Sequence, residues 1–123
     1  MSSQKYNKVK GSAWERDLEN YLNEMGLDAR RLARAGSKDI GDVCIRTKFF
    51  DAIGECKNVR NAWAAMKDFL RQAFTEARNY SEKYDKPTIA FVATKTRQSG
   101  PGEGRIVMTV DEFINLLRWG GIS

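Results

Sequence analysis

The sequence predicts an α/β domain, a central mixed β-sheet flanked by helices. Three observations carry that expectation. The segment "TIAFVAT", Thr88 to Thr94, is apolar almost throughout, the character of a central strand buried on both faces. Two stretches with helical apolar spacing, Trp14 to Met25 and Trp63 to Tyr80, bracket a run of short strand-like segments. The segments follow one another as α-β-β-β-α-β-β-α with no internal repeat, and 123 residues suffice for one core but not two.

The elements follow in order. Ser12 and Glu15 have the S-x-x-E spacing of a capping box, which starts the first helix at Ser12. Trp14, Leu18, Tyr21, Leu22 and Met25 continue it at helical spacing, and Gly26 stops it. Residues 1–10 therefore read as a flexible basic tail, and 11–123 as a single domain. "ARRLARA" reads as a short strand that ends in the loop "AGSKDIG". Gly41 to Arg46 and Phe50 to Asn58 read as a hairpin turning near Lys48 and Phe49. A long helix is expected from about Asn61 to Tyr84, with Trp63, Met66, Phe69, Leu70, Ala73, Phe74, Ala77 and Tyr80 on its apolar face. Pro87 marks its exit. After Thr88–Thr94 come a flexible loop, "SGPGEGR", a strand, "RIVMTV", and a last helix capped by Asp111 and running through Leu117.

Composition narrows the chemistry. There is no histidine, and the two cysteines, Cys44 and Cys56, form no CxxC pair. Histidine-based triads, Cys-His pairs and zinc sites are excluded. Both cysteines read as reduced, partly buried core residues. No apolar run approaches the roughly 18 residues that span a bilayer. The N-terminus lacks the apolar stretch of a secretory signal, so a cytoplasmic location is expected. The net charge of +5 is unevenly spread: Lys5, Lys8 and Lys10 cluster, as do Arg30, Arg31, Arg34 and Lys38, and Lys95, Arg97 and Arg105 flank the glycine-rich loop. Such clustering suits a surface that tracks phosphates.

The stretch "GDVCIRTKFFDAIGECK" holds the densest chemical signal. Hairpin pairing about Lys48 and Phe49 sets Asp42 opposite Glu55, and Glu55 shares a sheet face with Lys57, two residues on. Two carboxylates at that range raise each other's pKa unless a cation lies between them. Lys57 supplies one positive charge, and a divalent metal would supply more. Hard carboxylate oxygens without His or Cys suit Mg²⁺ or Mn²⁺. Asp39 and Asp51 are rivals of Asp42 for that role.

The arrangement resembles the PD-(D/E)xK nuclease superfamily, and more closely the archaeal-type Holliday junction resolvases with their phage-borne relatives. "GSAWERDLENYLNEMG" is similar to the family's first helix, "RLARAGSKDIGDV" to its strand, Ser-bearing loop and acidic residue, and "ECK" to its E-x-K element. Gly41-Asp42 stands where the family's name gives Pro-Asp. The resemblance implies a restriction-endonuclease-like core, with Glu15, Asp42 and Glu55 holding Mg²⁺ (or Mn²⁺), Lys57 and Ser37 assisting catalysis, and Gln72 near the site. It implies a metal-dependent endonuclease that resolves four-way DNA junctions as a homodimer. Arg30, Arg31, Arg34, Lys38, Lys8, Lys10 and Gln72 are then the expected DNA contacts. The dimer contact is expected on a sheet edge or the C-terminal helix, with Trp119 as a candidate anchor. Cleavage of other duplex or branched DNA by the same fold, and DNA binding without cleavage, remain alternatives.

Overall fold

The computed structural model describes residues 3–33 and 39–121, with side chains from residue 11 onward. Helix α1 spans Ser3–Glu24, and strands β1 (Asp28–Arg31), β2 (Val43–Arg46) and β3 (Asp51–Lys57) follow. A 3-10 turn, Ala62–Ala65, leads into α2 (Met66–Tyr84). Next come β4 (Thr88–Thr94), a 3-10 turn at Pro101–Glu103, β5 (Arg105–Val107) and α3 (Val110–Trp119). The sheet order is β1-β2-β3-β4-β5. The β3–β4 pair is parallel and the other pairs are antiparallel, so the sheet is mixed, as the sequence predicts.

Alternation along the central strands builds two cores, one on each face. Trp14 and Leu18 of α1 pack with Ala52, Cys56, Ile89, Phe91 and Ala93. Met66, Ala73, Ala77 and Tyr80 of α2 pack with Cys44, Ile53, Ala90 and Val92. β4 supplies both faces, which is why its sequence is apolar throughout. Gly54 is required in β3, because a Cβ there would collide with the Phe91 ring. Ile53 faces α2, so Asp51, Glu55 and Lys57 face the same way. Cys44 and Cys56 are free and buried. Among the described residues, no helix is long and apolar enough to cross a membrane.

Trp14 anchors α1 to the sheet. It is 1% exposed, and its indole N–H donates to the Ala93 carbonyl at 3.0 Å. Trp14→Ala is expected to cost roughly 3–5 kcal/mol, through a large cavity and an orphaned carbonyl. Urea unfolding checks this, and a loss under about 1 kcal/mol would show that the helix re-docks without its anchor.

Several expectations are corrected. α1 begins at Ser3, so Ser12 and Glu15 lie inside it and form no capping box. The stretch 3–10, expected as part of a flexible tail, is helical; it contains no Pro or Gly to stop the helix. Trp63 and Phe74, expected on the apolar face of α2, are 62% and 54% exposed. Trp63 lies in the 3-10 turn, whose tighter winding breaks the phase of the α-helical pattern. β5 ends at Val107, short of Val110. Thr109 caps α3 in place of Asp111, its hydroxyl accepting from the Glu112 N–H at 3.2 Å. Trp119 packs against the core, 6.4 Å from the Phe50 ring, and is only part-exposed.

Candidate active site

Hairpin register positions the first two acids. Val43 pairs with Gly54 and Arg46 with Asp51, so the next rung sets Asp42 beside Glu55, as expected. The Asp42 N–H donates to the Gly54 carbonyl at 3.0 Å, and its Oδ2 accepts from the Cys56 N–H at 2.8 Å. The bulk of the Asp42 side chain is thereby fixed to the backbone of the strand that carries Glu55.

Glu55 is 5% exposed. Its Oε1 is 3.1 Å from Lys57 Nζ and accepts from Gln72 Nε2 at 3.0 Å. Lys57 Nζ also lies 4.7 Å from the centre of the Phe69 ring, which holds the ammonium by a cation–π contact. α2 thus supplies both the amide that orients Glu55 and the ring that orients Lys57. Gln72 thus stands beside Glu55.

The same helix brings an acid that the sequence reading missed. Glu76, one turn beyond Gln72, is 2% exposed and faces Glu55. Neither of its oxygens receives a hydrogen bond from an N–H or hydroxyl group, nor does Glu55 Oε2. The signal in the sequence was slight: a lone Glu beside Ala77 and one turn before Tyr80, on an otherwise apolar face. Gly41 lies beside it. Its φ is +101°, a value proline cannot adopt, and a Cβ there would strike Ile53 and stand 3.4 Å from Glu76 Oε2. Gly-Asp in place of Pro-Asp therefore has a local cause.

The carboxyls perturb one another. Burial, then the charge of Glu55, pushes Asp42 up to about 7, with Glu15 and Asp39 adding and the Cys56 N–H opposing. Burial, then a hydrogen bond shared with Glu55 and the charge of that group, pushes Glu76 up to about 10. Burial raises Glu15 as well; Arg31 opposes the shift and Glu55 adds to it. Glu15, on α1, therefore stands within electrostatic reach of the hairpin acids. Among the described residues, no three acidic or cysteine side chains form a ready-made metal cage.

A pH dependence follows. These carboxyls hold protons in the folded state that they release in the unfolded chain above about pH 4. Protein without divalent cation should therefore lose stability as pH rises from about 4 to about 7 through Asp42, and on toward about 10 through Glu76. Melting in EDTA across that range checks the sign, and Asp42→Asn should flatten the lower part. A melting temperature that climbs with pH would contradict it.

Of the rival acids, Asp51 is placed elsewhere, whereas Asp39 stays within electrostatic reach of Asp42 and Glu76. Asp51 is 2% exposed, with Lys86 Nζ at 2.5 Å on Oδ1 and the Tyr80 hydroxyl donating to Oδ2 at 2.6 Å. It lies four residues before Glu55 on β3, about 13 Å along the strand. Asp39 Oδ1 accepts from the Gly41 N–H at 3.0 Å. A cavity of about 380 Å³, lined by Arg30, Arg46, Asp51 and Lys86 among others, lies at the Asp51 end and does not include the acidic group.

The expected DNA contacts divide. Arg30 and Arg31 are consecutive on β1 and point to opposite faces; Arg30 is 3.6 Å from Asp28, in an exposed pair. Arg34, Ser37 and Lys38 lie outside the described residues, as do the side chains of Lys8 and Lys10.

No protein-family model and no curated protein matches the sequence. Among solved structures the chain is similar to Hjc, a Holliday junction resolvase of the archaeal hyperthermophile Archaeoglobus fulgidus, with a TM-score of 0.53. The sequences are 24% identical, and the match covers 80% of this chain and 76% of that one. A mixed five-stranded sheet in the order β1 to β5, with helices on both faces, is thus the fold of an archaeal Holliday junction resolvase.

Proposed function

We propose that the protein is a metal-dependent endonuclease that resolves four-way DNA junctions by hydrolysing phosphodiester bonds. The observation that carries this reading is the convergence of Asp42, Glu55 and Lys57 at one end of the β2–β3 hairpin. A module that only binds DNA gains nothing from carboxylates aimed at phosphate.

The donor set fits a hard cation. It consists of oxygens alone, and one of them, Glu55 Oε2, is buried without a donor. Asp42, Glu55 and Glu15 would hold Mg²⁺, or Mn²⁺ in its place. Such an ion, when bound, polarises a phosphate oxygen and acidifies water. The chain's own groups do the rest. Gln72 fixes the Glu55 carboxylate, and Lys57, held by Glu55 and Phe69, presents an ammonium to the attacking water or to the charge building on phosphate. Ser37 and Lys38 are assigned to substrate positioning on their loop.

Distributed basic contacts suit a branched substrate without privileged bases. Arg30, Arg31, Arg34, Lys38, Lys8 and Lys10 are assigned to phosphates, and Gln72 lies close enough to the centre to contact DNA there. Neutralising Arg30 and Arg31 together should weaken junction binding and flatten its log–log salt dependence by about 2 units. An unchanged slope would remove them from the interface.

A two-fold dimer would set two centres on opposite strands. Val110, Phe113 and Ile114 on one side of α3 are exposed at 74%, 51% and 37%, and Ile106 on the outermost strand β5 at 53%. They replace Trp119 as candidates for the contact. Action on DNA also fits a cytoplasmic location.

The test is incubation with labelled four-way junction, linear duplex and single-stranded DNA, in Mg²⁺ and in EDTA. Symmetric cuts in the junction that require Mg²⁺ are expected. Equal cutting of duplex would make this a general DNA endonuclease, and tight binding without any cut would make it a binding module.

A further inference from the structure

Three carboxyl oxygens at the acidic centre are buried and receive no hydrogen bond from any N–H or hydroxyl group, Glu55 Oε2 and both oxygens of Glu76, so without an ion the two carboxyls can only share a proton between them. Among the described residues, every other buried acid has a partner. Asp51 is held by Lys86 and Tyr80, and Glu112 Oε2 accepts from the Ala90 N–H. Unmet carboxyl oxygens are costly inside a protein, and an apolar side chain of similar size would fill position 76 without that cost. α2 places Ala73, Ala77 and Tyr80 beside Glu76 on its buried side, and the polar groups nearby, Gln72 and Lys57, are engaged with Glu55. Gly41 lies alongside the carboxylate.

We propose that Glu76 is a cation ligand, and that Glu55 and Glu76 together take a hard divalent cation between β3 and α2. The inference rests on the reading above, since it adds a ligand to the same centre. Lys57 and Gln72 already occupy Glu55 Oε1, which leaves Oε2 without an N–H or hydroxyl partner. Two neighbouring carboxyls that meet no N–H or hydroxyl donor, and whose shared proton a cation can displace, match the oxygen coordination of Mg²⁺, Mn²⁺ or Ca²⁺ and suit no softer metal. The bound ion ties α2 to the sheet, so its presence is measurable without any DNA.

The experiment uses Mn²⁺ alone as the probe, on the full chain. Titration of the wild-type protein followed by paramagnetic resonance gives the affinity. Nuclear magnetic resonance of the same sample shows which amides the ion broadens. Amides around Glu76 and Gly41 should broaden, and Glu76→Gln should weaken Mn²⁺ binding about tenfold or more. Unchanged affinity in a folded Glu76→Gln variant would overturn the inference, because a purely structural Glu76 predicts that result. So would broadening confined to Glu15 and Asp42, or no Mn²⁺ binding by the wild type. If Glu76→Gln does not fold, the wild-type broadening decides alone. Ion binding at Glu76 without cleavage of any DNA would sink only the nuclease reading. Metal-dependent cleavage with α2 spared by the ion would sink only this one.

Discussion

Glu55→Gln is expected to abolish metal-dependent cleavage while leaving junction binding intact or tighter. Glu55 is the hub of the centre. Lys57 and Gln72 meet its Oε1, and Asp42, Glu15 and Glu76 all feel its charge. Glutamine keeps the shape and removes the charge, so the strand and its packing are retained. The cation loses an anionic ligand, and the single-turnover rate should fall by roughly 10²–10³-fold or beyond. Phosphate is no longer repelled by that carboxylate, so affinity should hold or rise. Cleavage of labelled junction with protein in excess, alongside gel-shift affinity, measures both parts. Full activity in Glu55→Gln would remove it from the centre.

That hub was legible because strand geometry is arithmetic. Once the turn is placed at Lys48 and Phe49, period-two alternation leaves no freedom in which residue faces Asp42 or which side Lys57 shares. The sheet was legible for a related reason: an all-apolar β4 can only be central. The start of α1 was not. Ser12 and Glu15 have capping-box spacing, but such a box forms only where the chain leaves the helix, and nothing in residues 3–10 makes it leave. The error had a functional side, since a Glu15 carboxyl freed from capping can reach toward the hairpin acids.

Glu76 was illegible for the opposite reason. A single Glu on a charged helix reads as solvent-facing, and only the docking of α2 against β3 turns it inward. Its burial is a tertiary outcome, set by which strand the helix crosses. The same docking leaves Phe74 exposed, although it directly follows the fully buried Ala73. One residue is a rotation of about 100° on a helix, enough to carry a side chain from core to surface. Apolar periodicity locates the inward stripe and leaves its margins to packing.

Lys57→Ala should separate turnover from binding more sharply than any basic-cluster variant. The Lys57 ammonium is no mobile surface charge: Glu55 lies 3.1 Å away on one side and the Phe69 ring centre 4.7 Å on the other. A cation held that rigidly is preorganised for charge that develops during reaction, and such groups contribute to rate in preference to ground-state affinity. The expected loss is about 10²–10⁴-fold in the rate at saturating protein, with junction affinity changed less than about threefold. Arg30 and Arg31 should show the reverse pattern, weaker affinity with a nearly normal saturated rate. Lys57→Arg serves as the control for charge alone. It keeps the cation but not the compact ammonium geometry, so only partial rescue is expected. Single-turnover rates across a protein titration give both constants for each variant. A collapse of affinity with a normal saturated rate in Lys57→Ala would make Lys57 a phosphate anchor, and the water-orienting role would pass to another group at the centre.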